Sequence, residues 1–82
     1  MYIYKTKGVC STEIQIEVKE NIIENVTFIR GCQGNLQGIS ALVKGMNIDE
    51  AIAKLSGIEC GPKSTSCPDQ LAKALQEIKD NQ

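Results

Sequence analysis

At Gly31 the hydrophobic pattern of this chain changes period, and that switch constrains the fold more than any other feature. Before it, Glu13-Ile14-Gln15-Ile16-Glu17-Val18-Lys19 alternates strictly, with Ile14, Ile16 and Val18 on one face, as a strand buried on one side should. Residues 2–6 read as a short aromatic-rich strand and 22–30 as a β-branched one. Glu20-Asn21 marks a turn between the second and third strands, and so short a connection favours an antiparallel hairpin. The poorer alternation of 22–30 predicts a bend or bulge near Glu24-Asn25.

Beyond Gly31 the spacing is helical. Asn35 is a candidate cap for a segment carrying Leu36, Ile39, Leu42 and Val43, with Gly45 as its stop signal. Asn47-Ile48-Asp49-Glu50 resembles a capping box and leads into Ala51, Ile52 and Leu55 before Gly57. Residues 59–66 are a loop by composition, and a last helix runs from about Pro68 to Asp80 with Leu71, Leu75 and Ile78 on one stripe. Strands followed by helices predict an α+β fold, a three-stranded antiparallel sheet with three helices packed on one face. No repeat or linker divides the chain, so 1–82 is expected to be a single domain. With one Phe, two Tyr and no Trp, its core rests on Ile, Leu, Val and Ala. A core in this size range supplies only about 3–5 kcal/mol, so a metal, a disulfide or a partner surface would be a useful supplement.

The chemistry-bearing residues are Cys10, Cys32, Cys60 and Cys67, each at a junction between elements. Cys10 follows Gly8-Val9 ahead of the second strand, Cys32 follows Gly31 ahead of the first helix, Cys60 precedes Gly61-Pro62, and Cys67 stands where the last helix begins. Cys67 thus lies at or near an N-cap, among unpaired N–H groups at the positive end of the helix dipole, a setting that suits a metal-binding or nucleophilic thiol. The intervals of 21, 27 and 6 intervening residues contain no tight Cys-x₂-Cys knuckle. Placement therefore carries the argument, and three readings stand: a shared thiolate site, inert burial as small hydrophobes, and a redox disulfide. Cys10, Cys32 and Cys67 form the expected trio, with Cys60 a fourth ligand or a bystander. Asp69 could ligate a metal or act as an acid or base, but the favoured reading is that it complements the helix dipole.

Other classes are excluded. The chain contains no histidine, which removes imidazole acid/base chemistry and His-containing zinc sites. A formal net charge of −1 offers no footprint for nucleic acid. No apolar stretch approaches the ~20 residues of a membrane span, and residues 1–5 lack a signal-peptide apolar core, so a cytoplasmic address is expected. In that reducing compartment the cysteines are expected to bind metal, react or be buried rather than to form two structural disulfides.

The run Thr65-Ser66-Cys67-Pro68-Asp69, with Gly31-Cys32-Gln33-Gly34-Asn35 and Leu55-Ser56-Gly57-Ile58-Glu59-Cys60-Gly61, resembles the TSCPD domain over nearly the whole chain. That family occurs near the C-terminus of cobalamin-dependent (class II) ribonucleotide reductases and as short stand-alone proteins, and is regarded as a metal-binding module. The resemblance implies a metal-binding accessory module linked to ribonucleoside-diphosphate reductase and DNA synthesis, with a reductase or another protein as partner. These 82 residues cannot hold the barrel, cobalamin site and radical cysteine of a reductase, so catalysis by the chain alone is not expected.

At the level of fold the order of cysteines and elements is similar to the U-type iron–sulfur cluster scaffolds, where three cysteines at such junctions hold the cluster. Those scaffolds carry an Asp shortly after the first cysteine and a His before the third, where this chain has Ser11-Thr12 and Ser66. Zinc is the first expectation for an all-thiolate site, an iron–sulfur cluster the second, and no metal the third. The alternative to a metal module is a metal-free structural or dimerisation module with inert buried cysteines, pairing with a second copy through the edge strand at 2–6.

Overall fold

A computed structural model describes residues 1–31 and 33–81, with the backbone alone for Gln33. Three strands, β1 (Tyr2–Lys5), β2 (Glu13–Lys19) and β3 (Ile22–Ile29), form an antiparallel sheet in that order. Three helices follow, α1 (Gln33–Val43), α2 (Ile48–Leu55) and α3 (Cys67–Asp80), giving the α+β arrangement.

One face of the sheet is continuous and apolar. Tyr2 and Tyr4 lie opposite Ile16 and Ile14, which in turn face Val26 and Phe28 of β3. The expected bulge is at Glu24: Glu17 pairs with Asn25 and Val18 with Ile23, leaving Glu24 as the extra residue. Its physical reason is visible in the pattern. Strict alternation back from Phe28 and Val26 would turn Glu24 into the core, and the bulge turns Ile23 inward in its place. The β2–β3 turn consists of Glu20 and Asn21, both at positive φ (53° and 66°), matching the twist of a two-residue hairpin. At its far edge β3 is covered where it starts. The Ile23 N–H donates to Met46 O, the Gly45 N–H to Ile23 O and the Ile48 N–H to Asn21 O.

The helices bury their apolar stripes on this face. Leu36, Val43, Ile48, Ala51, Cys67, Leu71, Ala74 and Leu75 join Ile14, Ile16, Ile23, Val26 and Phe28 in one cluster. Asn47 caps α2 by accepting from the Asp49 N–H (2.8 Å). Helix α1 begins two residues before Asn35, which therefore sits inside the first turn rather than at the cap. Arg30 and Gly31, at φ 65° and 96°, reverse the chain immediately after β3, so the helix can start as soon as they are passed. Among the described residues no helix is long and apolar enough to cross a membrane.

Candidate metal centre

Ser66 sets where α3 begins. Its hydroxyl accepts from the Asp69 N–H (3.2 Å) and donates to Ile58 O (2.6 Å), so Cys67 becomes the first helical residue and Pro68 the second. The helix thus starts one residue earlier than Pro68, where the missing proline N–H still leaves no bond unmade. From this position the Cys67 side chain turns inward and is 6 % exposed. Although it stands at a junction between elements, this cysteine is part of the core cluster.

The loop between β1 and β2 comes to meet it. Gln70, 4 % exposed on the first turn of α3, accepts from the Lys7 N–H (3.2 Å) and donates to Thr65 Oγ1 (3.0 Å), tying that loop to the helix start. The Thr6 hydroxyl donates to Ser11 O, and the Thr12 N–H to Ile29 O (2.9 Å). These bonds bring Cys10 Sγ to 3.7 Å from Cys67 Sγ, across 57 positions of sequence. Ser11, only 2 % exposed, places Oγ 3.1 Å from the same Cys67 sulfur. Gly31 completes the close approach: a Cβ there would lie 2.7 Å from Leu36 Cδ1 and 3.2 Å from both Cys10 Sγ and the Ser11 nitrogen.

Cys60 lies on the exposed loop before α3, where its N–H donates to Thr65 O (3.2 Å) and its carbonyl accepts from the Lys63 N–H (3.0 Å). It lines, with Cys10, Cys67 and the α1 residues Asn35, Leu36 and Ile39, one open hollow of about 410 Å³. Cys32, a member of the expected trio, lies outside the described residues. Among those residues no group of three or more His, Cys, Asp or Glu side chains forms a metal-holding cluster.

The Cys10–Cys67 separation of 3.7 Å is far from the ~2.05 Å of a disulfide bond. It is close to the edge, roughly 3.8 Å, of a tetrahedron built from metal–sulfur bonds of about 2.3 Å. As a pair, the two sulfurs are spaced as two thiolate ligands of one thiophilic metal would be.

Asp69 has a different task from ligation. Its carboxylate accepts from Thr65 Oγ1 (2.6 Å) and the Gly57 N–H (2.7 Å), and Lys73 Nζ stands 3.5 Å away. The Thr65 hydrogen bond first, and then the Gly57 N–H, hold its carboxyl below the usual aspartate range. It latches the loop at residue 57 to the helix that carries Cys67. Because the folded-state value is the lower one, this stabilisation is complete above the unfolded value near ~3.9 and is lost as pH falls through the folded value. Asp69→Asn should cost about 1–3 kcal/mol at neutral pH. The gap to wild type in urea melts should narrow once pH drops below about 4. A gap that stays constant from neutral to strongly acid solution would show that the charge plays no part in the latch.

Sequence reasoning missed Ser11 and Gln70. The contacts that matter run from Ser11 to Cys67 and from Gln70 to Lys7, and no local pattern signals either. The hints in the sequence are that Ser11 adjoins a junction cysteine and lies in the stretch where the U-type scaffolds carry an Asp.

A family model described as the TSCPD domain matches residues 2–79. No curated protein and no solved structure matches the chain.

Proposed function

The chain belongs to the TSCPD domain family, and on that premise we propose that it is a cysteine-based metal-binding accessory module serving deoxyribonucleotide synthesis beside a ribonucleotide reductase. Cys10, Cys32 and Cys67 are the proposed ligands, with Cys60 closing the tetrahedron, and zinc is the proposed metal. The observation that carries this reading is the 3.7 Å approach of Cys10 and Cys67, with Cys60 on the wall of the same hollow. The family's own motif supports it. Thr65, Ser66, Pro68 and Asp69 all serve the geometry of the helix start, and Cys67 is what they present.

A zinc ion there would act structurally, cross-linking the β1–β2 loop to the start of α3. The chain's own residues prepare that link. Gln70 and Ser66 hold the two segments in place, and the buried Ser11 hydroxyl lies within hydrogen-bonding distance of the Cys67 sulfur. A reducing compartment such as the cytoplasm would keep the thiols available. The 82 residues here have no room for a reductase barrel, so ribonucleotide turnover by the chain alone is not part of the proposal.

A second reading has its own observation. Cys67 packs in the core beside Ser11, as an inert cysteine would. Metal analysis of anaerobically purified protein separates the two. The metal-centre reading expects about one equivalent of zinc in wild type and its loss in Cys10→Ser, Cys32→Ser and Cys67→Ser. Wild type that is folded, monodisperse and metal-free would overturn it in favour of the inert module.

A further inference from the structure

The two sulfurs that approach each other differ in their surroundings. Cys10 is exposed on a loop of bends at residues 8–10, while Cys67 is buried at the first position of α3. We propose that Cys10 and Cys67 form a redox-active dithiol, at which a peroxide joins the β1–β2 loop to α3 through a reversible disulfide. An accessible thiol backed by a second one in reach is the arrangement by which peroxide-sensitive proteins escape irreversible oxidation.

Exposure assigns the roles. Cys10 Sγ attacks one oxygen of hydrogen peroxide, the O–O bond breaks, and the departing oxygen takes a proton and leaves as water. Cys10 is then a sulfenic acid. Cys67 Sγ attacks the Cys10 sulfur, the S–O bond breaks, and the hydroxide leaves with the Cys67 proton as a second water. Two thiols and one peroxide thus yield one disulfide and two waters, with two electrons passing from sulfur to oxygen. The sulfurs must close from 3.7 Å to about 2.05 Å. Cys10 supplies that movement, because it stands exposed on the loop while Cys67 is held by the core. The Ser11 hydroxyl, 3.1 Å from the Cys67 sulfur, is placed to exchange a hydrogen bond with it as the thiol proton leaves.

This inference shares two residues with the metal-centre reading but does not depend on it, since the chemistry belongs to the metal-free thiols. Trypsin makes the test direct, because the four cysteines fall in separate peptides, 8–19, 31–44, 55–63 and 64–73. Metal-stripped, reduced full-length protein is exposed to hydrogen peroxide, blocked with N-ethylmaleimide, digested and analysed by mass spectrometry without reductant. The expected product is peptide 8–19 joined to 64–73, reversed by dithiothreitol, retained in Cys60→Ser and lost in both Cys10→Ser and Cys67→Ser. Peptide 8–19 joined instead to 31–44 or 55–63 would overturn the assignment. So would over-oxidation of Cys10 to the sulfinic acid while 64–73 remains alkylated. Protein that binds no zinc yet joins 8–19 to 64–73 sustains this inference while removing the metal reading. Protein that binds zinc but joins another pair does the reverse.

Discussion

Gly31→Ala is expected to cost about 2–4 kcal/mol, combining a backbone penalty for alanine at positive φ with local overpacking. The backbone there stands at φ 96°, and an added methyl would meet Leu36 Cδ1 at 2.7 Å and the Ser11 nitrogen at 3.2 Å. Leu36 can swing aside, but the Ser11 backbone is held in the sheet margin by the neighbouring Thr12–Ile29 bond. A domain of 82 residues has on the order of 4–12 kcal/mol in total, so the variant should lose a large share of it. Gly38→Ala provides the contrast. Gly38 is exposed within α1 with open space around it, so alanine there should raise stability by about 0.5–1 kcal/mol. Urea denaturation of the two variants checks the opposite signs, and equal midpoints would show that Gly31 is not sterically required.

Leu71→Ala should be comparably severe, at about 2–5 kcal/mol. Leu71 is 0 % exposed and stands four residues, one helical turn, after Cys67. Its packing on the sheet determines how firmly the first turn of α3 is seated. A cavity beneath that turn should therefore loosen the Cys10–Cys67 approach as well as the fold. Denaturation reads the first effect, and hydrogen exchange at the N–H of Gln70, which bonds to Ser66 O, reads the second. Leu42→Ala, at a side chain 73 % exposed, should alter neither.

Much of this architecture is legible locally because one-sided burial forces it. The strict alternation of Glu13–Lys19 coincides with β2 from end to end, and the faltering alternation around Glu24 is the bulge that rescues Ile23 for the core. The onset of α1 was less legible. Asn35 satisfies a general cap preference, but the left-handed pair Arg30-Gly31 reverses the chain sooner and Gln33 is already helical. Asp69 shows a different limit. A carboxylate in a first turn does suit the dipole, yet the Gly57 N–H and Thr65 hydroxyl that hold it are fixed by how a whole loop closes. The site is the least local part. Junction placement drew attention to the cysteines, but the meeting of Cys10 with Cys67 and the burial of Ser11 beside them depend on contacts that span most of the chain.

That span has a thermodynamic meaning. Cys10 and Cys67 are 57 positions apart, so any bond that grips both sulfurs closes a loop containing most of the unfolded polypeptide. In the chain-entropy account, a covalent link of that length removes about 4 kcal/mol worth of freedom from the denatured ensemble. The folded chain loses almost nothing, since the sulfurs are already neighbours. What is attached at this one point therefore governs how disordered the protein can become when it unfolds.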